Sequence, residues 1–260
     1  GLGYMTLYSS MMILLGRSMG MENRIVMQDL LEISTQEELF QMIIDIVKYT
    51  VLIELWGAVI LAIGFTFEGI EVGTAIYYGI YHSVAAFCNA GLALFPDNLE
   101  SFATKPLIHG TIAVLIILGG LGFMVLRELR TFITQRKSLE RMSMHTKVVL
   151  NTTAILIVTG TLAIFFGEFL NALDAYSLWE KIQIAFFQSV TTRTAGFDTI
   201  LISSFNTYTI YFITLLMFIG AGAGSTAGGI KVSTFATLIQ SIRSTLKGRS
   251  SVEFYDRKIP

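Results

Sequence analysis

The chain has 260 residues, of which 53% are hydrophobic and 14% charged, with a net charge of −1. Soluble domains carry about 25% charged residues, so the composition excludes an ordinary soluble globule and, with only 3 prolines and no low-complexity tract, excludes disorder. No basic aromatic stripe marks a nucleic-acid surface; Cys88 is the only cysteine, so no intrachain disulfide forms, and His82, His109 and His145 lack metal-ligand spacing.

The first apolar run, 1–15, begins at Gly1 with no charged leader and no small-residue cleavage site. It reads as the closing part of a membrane helix rather than a signal peptide, and the chain as a fragment. Further runs at 39–65, 107–126 and 148–170 reach the ~20 apolar residues that a span needs. The run at 205–242 is too long for one span and is interrupted by Gly220-Ala-Gly-Ala-Gly-Ser-Thr-Ala-Gly-Gly229. Two shorter runs, 74–87 and 180–191, stop at Asn89-Ala90-Gly91-Leu92 and Thr194-Ala195-Gly196-Phe197. Segments of about that length are re-entrant candidates, and non-helical backbone at membrane depth survives only where protein or a watery cavity surrounds it.

Charge sidedness agrees with that topology. Arg127, Arg130, Arg136, Lys137, Arg141 and Lys147 lie in one connection, and Arg243, Lys247, Arg249, Arg257 and Lys258 in the tail. The positive-inside rule makes both cytoplasmic. The connections holding Glu68, Glu71, Asp97, Glu100, Asp174 and Glu180 then fall outside, provided that the short runs dip in and return.

A shift of 105 residues lays Asn89-Ala90-Gly91-Leu92 on Thr194-Ala195-Gly196-Phe197, and Gly1-Leu2-Gly3-Tyr4-Met5 echoes Gly120-Leu121-Gly122-Phe123-Met124. Such self-similarity marks a structural repeat. The expected fold is therefore an all-α membrane protein built of helix–pore-loop–helix units, as in a potassium channel, and incomplete. Residues 1–36 would be an inner helix and linker of a first unit. Residues 37–143 would be a second, and 144–260 a third with a broken inner helix and a cytoplasmic tail.

A cation crossing a bilayer exchanges its water shell for oxygens, and backbone carbonyls supply them. Turning successive carbonyls to one side needs backbone angles that glycine tolerates. Gly91 and Gly196 stand where that demand falls, and the partial negative charge at the C-terminal end of each short helix favours a cation.

Three segments carry a resemblance: His82-Ser-Val-Ala-Ala-Phe-Cys-Asn-Ala-Gly-Leu92, Gln188-Ser-Val-Thr-Thr-Arg-Thr-Ala-Gly-Phe197 and Met217-Phe-Ile-Gly-Ala-Gly-Ala-Gly-Ser-Thr-Ala-Gly-Gly-Ile-Lys231. Together they resemble the Trk/Ktr/HKT superfamily of potassium transporters, and most of all its Ktr-type potassium-translocating subunit. The resemblance implies four units around one axis, with Asn89, Ala90, Gly91 and Leu92 and then Thr194, Ala195, Gly196 and Phe197 as two filter strands that hold potassium through carbonyls. It implies a gate beneath the filter formed by Gly220, Gly222, Gly224, Ser225, Thr226, Gly228 and Gly229, followed by Lys231. It implies a multi-pass protein of a bacterial plasma membrane, a homodimer at full length and a cytoplasmic nucleotide-binding regulatory subunit. It implies potassium as the transported ion, with no organic cofactor in this chain, no enzyme activity and no nucleic-acid partner expected.

Nucleotide binding at 222–227 is disfavoured, because the G-x-G-x-x-A pattern there lacks a preceding strand and a following acidic residue. Lys231 is read as limiting cation passage, as pairing with a carboxylate elsewhere, or as a snorkelling lysine. Arg193 is expected to turn away from the ion path and donate to backbone carbonyls or a carboxylate, with Glu54 and Glu168 as candidates. His82 is expected to make a structural hydrogen bond, and Cys88 to pack behind the filter. A secondary transporter with broken helices explains the interruption at 220–229 but not the two repeated turns. An intramembrane enzyme would need converging acid, base or metal groups, and the sequence offers none.

Overall fold

The structure, a computed structural model, describes residues 36–135 and 142–248, together with Glu253–Phe254 and Arg257–Lys258. The run 1–15, its echo of 120–124, and Arg136, Lys137, Arg141 and Arg249 lie outside the described residues. Eight α-helices are described: α1 (Gln36–Phe67), α2 (Val72–Phe87), α3 (Pro106–Leu121), α4 (Phe123–Gln135), α5 (Met144–Glu168), α6 (Leu178–Thr191), α7 (Thr207–Phe218) and α8 (Val232–Leu246). A short antiparallel pair, β1 (Glu253–Phe254) and β2 (Arg257–Lys258), follows them.

By length and composition, α1 over Gln41–Phe67 and all of α5 are able to cross a membrane. The apolar run at 107–126 is not one straight span: α3 and α4 meet at a bend of 105°. Gly122, at φ 91°, makes the corner, a backbone region that residues with a Cβ avoid. Past the corner α4 turns strongly amphipathic, with Arg127 and Arg130 exposed. The run at 205–242 divides into α7 and α8, with the glycine-rich stretch between them as a loop.

Each half of the chain packs a short helix against a long one through the same joint. In the first half Ser83 Oγ of α2 donates to Glu54 O of α1 at 2.7 Å. In the second, Ser189 Oγ of α6 donates to Ile157 O of α5 at 2.8 Å. Three residues beyond each acceptor stands a glycine, Gly57 or Gly160, and a Cβ on either would overlap the serine hydroxyl. Small residues let membrane helices approach until such bonds form. Gly79 of α2 likewise meets the backbone of Ala58 and Ala62.

Local signals place the helix ends. Ser177 and Glu180 form a capping box that starts α6, Pro106 occupies the first turn of α3, and Ser143 caps α5 through Thr146 N. The largest core cluster runs between the halves, joining Leu61, Phe65, Ala86 and Ile112 to Phe187, Val190, Ala195 and Phe197. Outward-facing Leu52, Leu55, Trp56, Val59 and Ile63 on α1 leave the apolar surface that a membrane helix turns to lipid.

Candidate functional site

The two short helices end at the two repeated turns. Asn89, at φ 51°, closes α2: its own N–H donates to Ala86 O and the Ala90 N–H to Ala85 O, the pairing of a Schellman turn with asparagine in the left-handed place. Thr194 follows the end of α6 at φ 69°, an uncommon conformation for a β-branched residue. Two residues further on, Gly91 and Gly196 are again left-handed, at φ 64° and φ 87°. Both turns thus alternate left-handed and ordinary backbone at the positions matched by the 105-residue shift.

The fold brings the turns together. A Cβ on Gly91 would overlap Ala195 O and lie 2.7 Å from Gly196 Cα. Their surroundings differ: Ala195 and Phe197 are buried, whereas Gly196 is exposed, and Ala90 and Leu92 on the other turn are open to the surface. Asn98 Nδ2 reaches Gly196 O at 3.5 Å, and Leu99 N donates to Asp198 O at 2.9 Å, so the segment after the first turn binds the second.

His82 and the rings around it support the first turn. Leu94 N donates to His82 Nε2 at 3.3 Å, which leaves the ring proton on Nδ1, facing Tyr78 O at 2.8 Å. The imidazole stacks on Phe95 at 5.1 Å, and Phe65 and Phe102 complete the aromatic wall. This is the structural hydrogen bond expected of His82.

The glycine-rich loop is pinched shut at its neck. Gly220 N donates to Ile230 O at 3.0 Å and Ile230 N to Phe218 O at 3.1 Å, while Val232 N donates to Ala221 O at 3.0 Å. Gly220 passes so close to Gly228 O that a side chain would collide with it. The loop then meets the α3–α4 bend. Gly222 N donates to Gly120 O at 2.8 Å, Thr226 N to Gly119 O at 3.2 Å, and Phe123 N to Gly224 O at 3.2 Å. Breaking a helix in an apolar medium frees N–H and C=O groups at a high cost; here two breaks satisfy each other.

Three side-chain contacts join the loop to the turns. Asn89 Nδ2 donates to Thr226 Oγ1 at 2.8 Å, and that hydroxyl donates to Phe87 O at 2.8 Å. Gly228 N donates to Thr194 Oγ1 at 3.1 Å. Arg193 Nη2 donates to Gly220 O at 3.2 Å. Among the described residues the buried Ser225 hydroxyl has no hydrogen-bond partner, and Gly224 and Gly229 take φ of 65° and 75°.

Of the two partners expected for Arg193, backbone carbonyls or a carboxylate, the structure shows the backbone carbonyl, and neither candidate carboxylate meets it. Glu168 Oε1 accepts from Asn206 N at 2.9 Å and its Oε2 from Asn171 Nδ2 at 2.6 Å, so it ties the start of α7. Glu54 makes no ion pair with Arg193 either; among the described residues the buried guanidinium meets a backbone carbonyl alone. The expectation for Cys88 is corrected: as the C-cap of α2 it is exposed and lines a groove with Tyr77, Val84 and Leu92, instead of packing behind the turn. Lys231 Nζ turns back onto Ala227 O at 3.1 Å, within its own loop. The α3–α4 bend was missed, although Gly120 and Gly122 inside an apolar run were its signal.

A family model described as TrkH, cation transport protein, matches residues 1–258. The Ktr system potassium uptake protein B of Bacillus subtilis is 34% identical over 261 residues, covering 100% of this chain and 58% of the relative. Its namesake in Vibrio alginolyticus is 35% identical over 267 residues, with 57% of that protein covered, and the potassium/sodium uptake protein NtpJ of Enterococcus hirae is 31% identical, with 56% covered. The crystal structure of the potassium transporter TrkH from Vibrio parahaemolyticus matches with a TM-score of 0.64 at 17% identity, over 100% of this chain and 51% of that one, a likeness of fold. The chain spans a little over half the length of the curated relatives it matches. A helical membrane fold, two repeated turns in contact and a family match over 1–258 place this chain in the TrkH family of cation transport proteins.

Proposed function

We propose that this chain supplies two of the filter strands through which a longer protein takes up potassium, Asn89–Leu92 and Thr194–Phe197, with residues 37–143 and 144–260 each forming one helix–pore-loop–helix unit. The observation that carries this reading is the contact between two turns, one from each half, each left-handed at alternate positions. Alternation of that kind turns carbonyls to one side of a strand, where they replace the water around a cation. The printed names of the relatives, potassium uptake and potassium/sodium uptake, supply the ion.

The loop at 220–229 is the gate in this reading. Its support is a neck closed by backbone hydrogen bonds and a body bonded both to the two turns and to the α3–α4 corner. At full length the protein works as a homodimer in the plasma membrane under a cytoplasmic nucleotide-binding regulator. The exposed Arg127, Arg130, Arg243 and Lys247 give that regulator a basic surface.

Gly196→Ser tests the filter in the full-length protein. Serine at φ 87° is strained, and its Cβ falls 3.3 Å from Gly91 Cα, a tight contact that the facing turn must yield to slightly. Rubidium and sodium uptake into proteoliposomes will show potassium affinity lowered about tenfold or more, or sodium admitted, consistent with about 1–2 kcal/mol of backbone strain at the ion site. Unchanged kinetics and selectivity would refute the filter assignment. Shortening 220–229 will raise potassium flux; no change, or loss of flux in folded protein, counts against the gate.

A further inference from the structure

We infer that Asn89 and Thr194, the first residues of the two turns, latch the glycine-rich loop and so couple the shape of the filter to the position of the gate. This inference rests on the filter and gate reading above and adds a positioning role for two side chains and for Thr226.

The two residues are equivalent under the 105-residue shift, and both are left-handed without being glycine. Asparagine adopts that region with modest strain; threonine does not, so a glycine at either place would relieve the backbone. What glycine lacks is the side chain, and both side chains are used for the same purpose. Asn89 Nδ2 holds Thr226 Oγ1 at 2.8 Å, and Thr194 Oγ1 accepts from Gly228 N at 3.1 Å. The contacts fall two residues apart on the loop, one from each turn. Strain held at a functional site persists where surrounding contacts over-determine it.

Thr226 is the centre of the arrangement. Its hydroxyl accepts from Asn89 and donates to Phe87 O, the carbonyl of the last residue of α2, while its N–H donates to Gly119 O. One residue therefore binds a turn, the end of a pore helix and the α3–α4 corner. If the loop swings aside to let an ion pass, the Asn89 and Thr194 contacts must break, and the first carbonyl of each turn loses its brace. By reciprocity, an ion that holds the turns in their left-handed shape favours the latched loop.

Thr226→Val removes the hydroxyl while keeping the shape, and Thr226→Ser keeps the hydroxyl. Both are made in the full-length protein in proteoliposomes, beside the shortened-loop variant. The latch predicts that Thr226→Val raises rubidium flux about three- to tenfold, the population shift from losing one or two hydrogen bonds, and that Thr226→Ser stays close to wild type. Hydrogen exchange supplies the second readout. Potassium, compared with choline, will slow exchange of the 220–229 amides in wild type and in Thr226→Ser but not in Thr226→Val. Unchanged flux and retained potassium protection in Thr226→Val would overturn the latch. If the shortened loop alone raises flux, the gate stands and only the latch has failed; if the shortened loop changes nothing, the gate reading itself has failed.

Discussion

A neutral imidazole has one donor nitrogen and one acceptor nitrogen, and at His82 each has a fixed place. Nε2 accepts from Leu94 N, which lies just past the turn at Asn89–Leu92, and Nδ1 faces Tyr78 O one helical turn back in α2. The ring ties α2 to the segment that follows the first turn. His82→Phe preserves an aromatic stack on Phe95 but leaves the Leu94 N–H unmatched, at a cost of about 1–3 kcal/mol for a buried donor. The expected result is exchange of the Leu94 amide about tenfold faster or more, with the α1 amides unaffected, read by hydrogen exchange on the detergent-solubilised full-length protein. Equal exchange at Leu94 in both proteins would show that the ring only fills space. Asn89 and Thr194 follow a related logic, since each accepts a left-handed backbone and uses its side chain as a tie.

At the scale of elements, much of the fold was legible because length and interruption are written into the chain. The short apolar runs at 74–87 and 180–191 became α2 and α6, and both stop where a repeated Gly-containing turn begins. The glycine-rich stretch broke the last run into α7 and α8 as its composition demanded. The bend between α3 and α4 was not legible in the same way. Hydrophobicity continues through Gly120-Leu-Gly-Phe-Met-Val-Leu126, so no polar residue marks the corner. Its cause is remote in sequence: the loop at 220–229 supplies the donors and acceptors that a broken helix needs. A single chain read locally shows glycines in an apolar run but not the partner that makes a break stable. For the same reason the sequence left two kinds of partner open for Arg193, a backbone carbonyl or a carboxylate. The guanidinium meets Gly220 O, an acceptor that every residue carries, so which carbonyl it would be was not legible. Cys88 was misjudged because a residue next to a turn faces inward or outward according to how the turn is closed. The Schellman turn at Asn89 sets Cys88 outward.

At the scale of the whole molecule, the two halves are joined at both ends. On the side of the acidic loops, Leu99 and Asn98 bind Asp198 and Gly196. On the other side the joint is Glu128, from α4 of the first half, which caps the start of α5 in the second. Its Oε1 accepts from Ser143 N at 2.5 Å, its Oε2 from Ser143 Oγ at 2.6 Å, and Thr146 Oγ1 donates to it as well. Burial alone would raise the pKa of this carboxyl; the hydrogen bonds from Ser143 and Thr146 and the nearby His145 outweigh it and leave the pKa below its ordinary 4.5. A depressed carboxylate stabilises the folded state fully above its unfolded pKa, and that contribution is lost as pH falls through the lower native value. The joint should therefore hold at neutral pH and weaken only in acid below about 4.5, where the ordinary carboxyl already takes up a proton. Glu128→Gln keeps the shape and removes the charge. Thermal unfolding of the detergent-solubilised full-length protein should place this variant below wild type by a constant margin at neutral pH. As the solution is acidified past that value the margin should shrink, because the wild-type side chain becomes neutral too. A margin that stays the same through acid, or none at neutral pH, would mean that the two halves are held together by the apolar contacts at Phe187 and Phe197 without help from this charge.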